Sequence, residues 1–202
     1  MLSEEQLCQN YEKYRNLLYQ TSHNANNELE SLFDHFGNRL VLCPASSKQQ
    51  LHSAFPGGLI DHSLRVLKNA LRMIKVAPDV FSDIPEESVI FASLAHDLGK
   101  LGDLDNERYL MQDNDYYRKR GNVYELNTSL APVYETSLFI LQNFGIKMSY
   151  QEWQTISSID NQSHVDSKYD LKEIPLVLLV NQADRLSCYQ EKIQQNNSLS
   201  LG

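Results

Sequence analysis

The chain has 202 residues, 42% hydrophobic and 22% charged, a balance that excludes wholesale disorder, collagen and coiled-coil rods. Its 26 acidic and 18 basic residues leave a net charge of −8, a field that repels phosphate backbones and argues against duplex nucleic acid as a partner. A small phosphorylated substrate stays open, because a bound metal inverts the field locally.

The apolar spacing is helical almost throughout. Ser3, with Gln6 three residues on, predicts a capped helix reaching about Gln20. A second helix is expected from Asn26 to Phe36, stopping at Gly37. The dipeptide Gly57-Gly58 after Pro56 breaks the chain before a third helix, about Leu59 to Ala77. There Ile60, Leu64, Leu67, Leu71 and Ile74 recur at helical spacing, and further apolar residues round the side place the helix centrally.

Another helix starts near Glu86 and ends at His96-Asp97. Residues 101–127 read as one long loop rich in charge and aromatics, and long ordered loops are more often functional than not. Helices from about Ser129 to Phe144 and Ser149 to Ile159 follow, the second with Glu152 at its capping-box position. A last helix opens at Ile174-Pro175. With no strand periodicity, the expectation is an all-α fold: residues 1–193 form one bundle of about six to eight helices, and 194–202 a flexible polar tail.

The N-terminal segment Met1 to Glu5 lacks the apolar core of a signal peptide. No apolar run approaches the roughly 20 residues of a membrane span. Cys8, Cys43 and Cys188 are far apart and form no metal-knuckle spacing, so reduced thiols are expected. The expectation is a cytoplasmic protein without a membrane partner, and a homo-oligomer stays open.

Three polar interruptions of apolar helices stand out: His62, the pair His96-Asp97, and Asp184. A buried carboxylate needs a partner or a metal, and two imidazoles with two carboxylates would make a mixed nitrogen–oxygen site. Taken singly, each also reads as a hydrogen-bonded core residue or, for Asp184 beside Arg185, a surface pair. His23, His35 and His164 read as ordinary surface or half-buried histidines.

The wider segments are more specific. Ser93-Leu94-Ala95-His96-Asp97-Leu98-Gly99-Lys100-Leu101-Gly102-Asp103 resembles the central signature of the HD superfamily of metal-dependent phosphohydrolases. His52-Ser53-Ala54-Phe55-Pro56-Gly57-Gly58-Leu59-Ile60-Asp61-His62-Ser63-Leu64 resembles the segment carrying the first metal histidine in a branch that includes bacterial HD exoribonucleases. Leu179 to Ser187 resembles the helix carrying the last metal aspartate.

The resemblance implies His62, His96, Asp97 and Asp184 as ligands of one divalent ion, with Mn, Fe, Co, Ni, Zn and Mg all open. It implies Lys100 as a phosphate-facing lysine. Two further histidines hold a second ion in many HD proteins, and the positions aligned with them here are Val133 and Ile159, the latter beside Asp160. A mononuclear site is therefore expected.

Asp97 or Asp103, with Asp105 nearby, is a candidate to orient water. Arg65, one turn after His62, is a candidate phosphate clamp. His52, Arg118, Arg120 and Tyr124, with Tyr117, are candidates for holding substrate. The expected activity is hydrolysis of a nucleotide: a deoxynucleoside mono- or triphosphate, or a cyclic nucleotide. The alternatives are a phosphodiesterase or 3′-end exoribonuclease and a non-catalytic nucleotide-binding module.

Overall fold

The computed structural model describes residues 2–21, 26–159 and 174–199. Asp160, His23 and His164 lie outside them. Among the described residues there are nine α-helices and one small sheet, so the fold is all-α as the periodicity predicts.

Helix α1 (Glu4–Tyr19) begins with the expected reciprocal cap of Ser3 and Gln6. Helix α2 (Asn26–Leu42) does not stop at Gly37. Gly37 takes φ 42° and ψ −122°, a pair that only glycine adopts readily, and the chain kinks there and continues. The continuation buries Leu40 and lets Arg39 donate to the Asp103 carbonyl oxygen at 2.8 Å.

Helix α3 (Gly58–Val76) packs on α1 and α2, and also on α5 (Glu86–Ala95) and α9 (Pro175–Leu199). Its buried stripe is rotated from the expected one. Ile60 and Leu67 of that stripe are buried as expected, but they are joined by Leu59, His62, Ser63, Val66, Asn69 and Ala70, whereas Leu64, Leu71 and Ile74 are only partly covered. Polar groups on α9 cause the rotation: Asn69 Nδ2 donates to Ser187 Oγ at 2.8 Å and to Gln190 Oε1 at 3.0 Å. The helix buried all round is α5, every residue from Ser88 to Ala95. Tyr14 of α1 donates its hydroxyl to the Leu94 carbonyl oxygen at 2.9 Å, pinning α1 to this central helix.

The one-turn helix α4 (Pro78–Phe81) fills the connector before α5. The expected loop over 101–127 is partly ordered into secondary structure. Strand β1 (Tyr109–Met111) pairs antiparallel with β2 (Tyr124–Leu126), Leu110 opposite Glu125, and α6 (Asp115–Arg118) caps the hairpin. Strands of three residues are too short to show a period of two. Helices α7 (Val133–Asn143) and α8 (Tyr150–Ser158) follow, α8 carrying the expected Ser149–Glu152 cap. Helix α9 continues through the stretch from Gln194 that was read as a frayed tail, to Leu199. Among the described residues, no helix is long and apolar enough to cross a membrane.

Candidate metal centre

The centre is assembled where α3, α5 and α9 meet. His62 lies on the buried stripe of α3, and Asp184 follows the buried Val180 and Ala183 of α9. His96 is the C-cap of α5, and Asp97 leads into a 3-10 turn, Leu98–Leu101. Adjacent residues on a helix diverge by about 100°. At Asp97 the backbone leaves the helix (φ −104°, ψ 10°), which lets both side chains serve one place.

Two neighbours hold this turn. Ser137 of α7 donates to the His96 carbonyl oxygen at 2.9 Å and accepts from the Gly99 amide at 2.7 Å. Arg108 donates from Nε to the Gly99 carbonyl oxygen at 2.8 Å, and from Nη2 to Ala131 and Thr136. Gly99 must be glycine for lack of space: a Cβ there would sit 2.0 Å from the Val133 carbonyl oxygen.

The four expected ligands come together. His62 Nε2 lies 2.9 Å from Asp184 Oδ1 and 3.6 Å from Asp97 Oδ2, and His96 Nε2 lies 3.2 Å from Asp97 Oδ2. One ligand atom each from His62, His96 and Asp184 fall within 4.8 Å of one another. Both Nε2 atoms are fully buried, yet neither makes an aligned hydrogen bond.

The opposite ring nitrogens are engaged. His96 Nδ1 faces the Ser93 carbonyl oxygen at 2.9 Å, so it carries the hydrogen and leaves the Nε2 lone pair inward. His62 Nδ1 lies 3.4 Å from Glu191 Oε1. Carboxylate or carbonyl behind a histidine is the arrangement that orients metal ligands. Orphaned buried imidazole nitrogens beside two carboxylates fit a divalent cation, and the N₂O₂ set suits the borderline transition metals. His52, His62 and Cys188 form a second group of similar closeness. Both groups need His62.

Electrostatics agree with a cation-seeking site. Burial works against charge on Asp97, but Lys100 and the His96 and His62 imidazoles hold its pKa well below the usual carboxylate value. Asp184 and Glu191 are also lowered against burial, chiefly by their contacts with His62. Burial disfavours a proton on His62, yet Asp184, Glu191 and Asp97 overcome it and raise its pKa to about 9. In the metal-free protein that proton supplies the positive charge the carboxylates require.

The other expected residues divide. Lys100 Nζ reaches Asp97 Oδ2 at 2.6 Å and is buried. His52 stacks its ring on His62, centroids 4.7 Å apart, with its Nε2 buried and unpartnered. Burial, reinforced by the charges of Lys100 and His62, pulls its pKa down to about 4, so it is neutral. Arg65 is held by Asp61 at 2.6 Å and Glu191 at 3.3 Å, and touches the centre through Glu191.

Asp103 serves locally: its carboxylate accepts from the amides of Asp105 and Asn106 and from Asn106 Nδ2, closing a turn. Asp105 contributes only its amide to that turn and is exposed. The structure does not bring Arg118 and Arg120 to the centre either. Arg118 pairs with Asp115, and the Arg120 guanidinium lies 3.9 Å over the Tyr116 ring. Tyr117 is exposed and packs edge-on against Tyr116. Tyr124 is buried against Tyr109, ring centroids 6.1 Å apart, and it is Tyr109 that feels the charges of Lys100 and Asp97. His35 is exposed, with Nε2 3.0 Å from the Leu104 carbonyl oxygen. Val133 is half-buried and Ile159 is buried in the core, so neither adds a ligand.

Sequence reasoning missed Glu191, Ser53, Ser137 and Tyr109. Ser53 donates to Glu191 Oε2 at 2.6 Å. The available signal for Glu191 was its spacing: seven residues after Asp184 is two helical turns, hence the same face. Compared with family models, curated proteins and solved structures, the chain matches none.

Proposed function

We propose that the chain is an HD-type, metal-dependent phosphohydrolase acting on a nucleotide in the cytoplasm. The observation that carries this reading is the gathering of His62, His96 and Asp184 within 4.8 Å of one another, with Asp97 Oδ2 3.6 Å from the His62 Nε2 and 3.2 Å from the His96 Nε2, and with neither of those buried imidazole nitrogens in an aligned hydrogen bond. His62, His96, Asp97 and Asp184 would hold one ion. When bound, a divalent cation supplies a water of lowered pKa and neutralises charge on a phosphoryl group.

The protein's own groups do the rest. Lys100, paired with Asp97, offers its ammonium to a phosphate oxygen without leaving its counter-charge. His52, neutral and unpartnered at Nε2, offers a hydrogen bond beside His62. Glu191 and the Ser93 carbonyl keep the two imidazoles in register. A net charge of −8 favours a small substrate over a polymer.

The test is release of phosphate or nucleoside from a panel of nucleotides with added Mn²⁺, Co²⁺, Ni²⁺, Zn²⁺ or Mg²⁺. Turnover is expected, and Asp97→Ala should reduce it by about a hundredfold or more. Absence of turnover, or turnover equal in the variant, discards the reading. Apolar side chains at Val133 and Ile159 favour a second reading, a module that binds nucleotide without hydrolysing it; calorimetric binding with no turnover would select it.

A further inference from the structure

A cleft of about 1070 Å³ lies between α1, α3 and α9, lined by residues other than the four ligands. The chain as a whole is strongly acidic, but this cleft is not. Lys13 of α1 faces it together with Arg65, Lys68, Arg72 and Lys75 of α3, against the single carboxylate of Asp61. The four α3 cations fall at i, i+3, i+7 and i+10, one line along a helix face. At 1.5 Å per residue they extend over about 15 Å.

Arg65 is satisfied by Asp61 and Glu191. Lys13, Lys68, Arg72 and Lys75 are exposed and take part in no ion pair among the described residues. Like charges one turn apart destabilise a helix, so a row of unpaired cations calls for a multiply charged anion that lies along it.

The chemistry of the lining narrows the class. The walls between the cations are aliphatic, Leu17, Leu64, Leu71 and Ile193, and no aromatic ring lines the cleft. Proteins that bind single-stranded nucleic acid use aromatic platforms for the bases, and the surrounding negative field disfavours a long polyanion. A short ligand with several charges in line fits both the volume and the row. We propose that this cleft binds a linear chain of phosphates, either an inorganic oligophosphate or the polyphosphate tail of a nucleotide. The proposal does not depend on hydrolysis at the metal centre.

Calorimetric titration of the chelator-treated, metal-free protein with inorganic tripolyphosphate, and separately with adenosine triphosphate, tests it, since the metal centre then offers no competing phosphate site. Each should bind saturably at one equivalent, compete with the other, and bind more weakly as salt is raised. Lys68→Ser combined with Arg72→Ser should weaken binding about tenfold or more, because charge-assisted contacts are lost. Asp97→Ala should leave binding unchanged. Both substituted positions of the double variant are exposed, and circular dichroism verifies its fold. Tighter binding of the nucleotide assigns the aliphatic walls to a nucleoside; tighter binding of tripolyphosphate assigns the cleft to phosphate alone. No saturable binding of either probe, equal binding by the double variant, or loss confined to Asp97→Ala overturns the proposal.

Discussion

His62 meets three carboxylates through two ring nitrogens: Asp184 and Asp97 at Nε2, Glu191 at Nδ1. Such a residue has to be held from behind to serve a ligand in front. Glu191 does this, and is itself fixed by Ser53 and Arg65. Replacing a carboxylate behind a ligand histidine costs metal affinity without removing a ligand. Glu191→Gln should therefore weaken metal binding by about 10- to 100-fold while keeping a stoichiometry of one. Titration against a competing chelator measures both quantities, and an unchanged affinity would refute the role.

The cluster was legible in part because His62, His96 and Asp184 are polar residues set among apolar neighbours, but the expectation that they and Asp97 act as ligands came from the resemblance of the segments around them. Glu191 was not, since Gln190, Lys192 and Gln194 around it look like solvated surface. The turn that Asp103 closes was not legible either, because a carboxylate just after a helix end reads equally well as a turn acceptor or as a group facing substrate.

At the scale of elements, the turn from Ala95 to Leu101 keeps its own backbone hydrogen bonds, Lys100 N–H to the Asp97 carbonyl oxygen at 2.9 Å among them, and is held in place by α7 and by Arg108. Ser137 and Arg108 clasp its carbonyl oxygens, and the missing side chain of Gly99 allows α7 to approach. Gly99→Ala places a methyl against the Val133 carbonyl oxygen and the Ser137 amide, both backbone atoms that cannot swing aside. The expected cost is about 1–3 kcal/mol of stability, with metal affinity falling at the same time because His96 and Asp97 are displaced. Urea unfolding and metal titration of the one variant check the pair of effects; loss of stability with intact affinity would separate the turn from the centre.

Helix positions were readable from spacing and caps, as the Ser3–Gln6 and Ser149–Glu152 boxes demonstrate. The rotation of α3 was not. Hydropathy ranks Leu64 and Leu71 above His62 and Asn69, but the two polar residues find partners on α9 and go inside. The leucines are left at the cleft. Arg118 and Arg120 were misplaced because charge density marks a loop as interesting without saying which way it folds.

For the whole molecule, the centre couples stability to pH and, on the proposed function, to metal. Without metal, the raised pKa of His62 contributes stability that is fully present below its ordinary value of 6.5 and is lost as pH rises through about 9. The lowered carboxylates Asp97, Asp184 and Glu191 act in the opposite sense. Their contribution is present above their ordinary values of 3.8 and 4.5 and is lost as pH falls through the depressed ones. His52, with its pKa pulled down to about 4, contributes stability that is present above 6.5 and lost as pH falls through about 4, so chelator-treated protein should melt at its highest temperature near pH 6.5 and at lower ones near pH 9 and near pH 4. Added metal displaces the His62 proton and reverses the alkaline loss. At about 100 times its dissociation constant it should add about 2.7 kcal/mol, or roughly 5–10 °C for a chain of this size. Asp184→Ala should abolish the metal-induced rise. Melting curves that ignore both pH and metal would contradict this coupling.

The ligands stand on α3, at the end of α5 and on α9, with α6, α7, α8 and the hairpin intervening before the last of them. A nascent polypeptide therefore emerges with His62, His96 and Asp97 long before Asp184 is synthesised. Until that final side chain arrives and docks, the growing chain holds an incomplete cluster, so if the centre takes a cation as proposed, capture would be a late checkpoint of maturation rather than an early seed for folding.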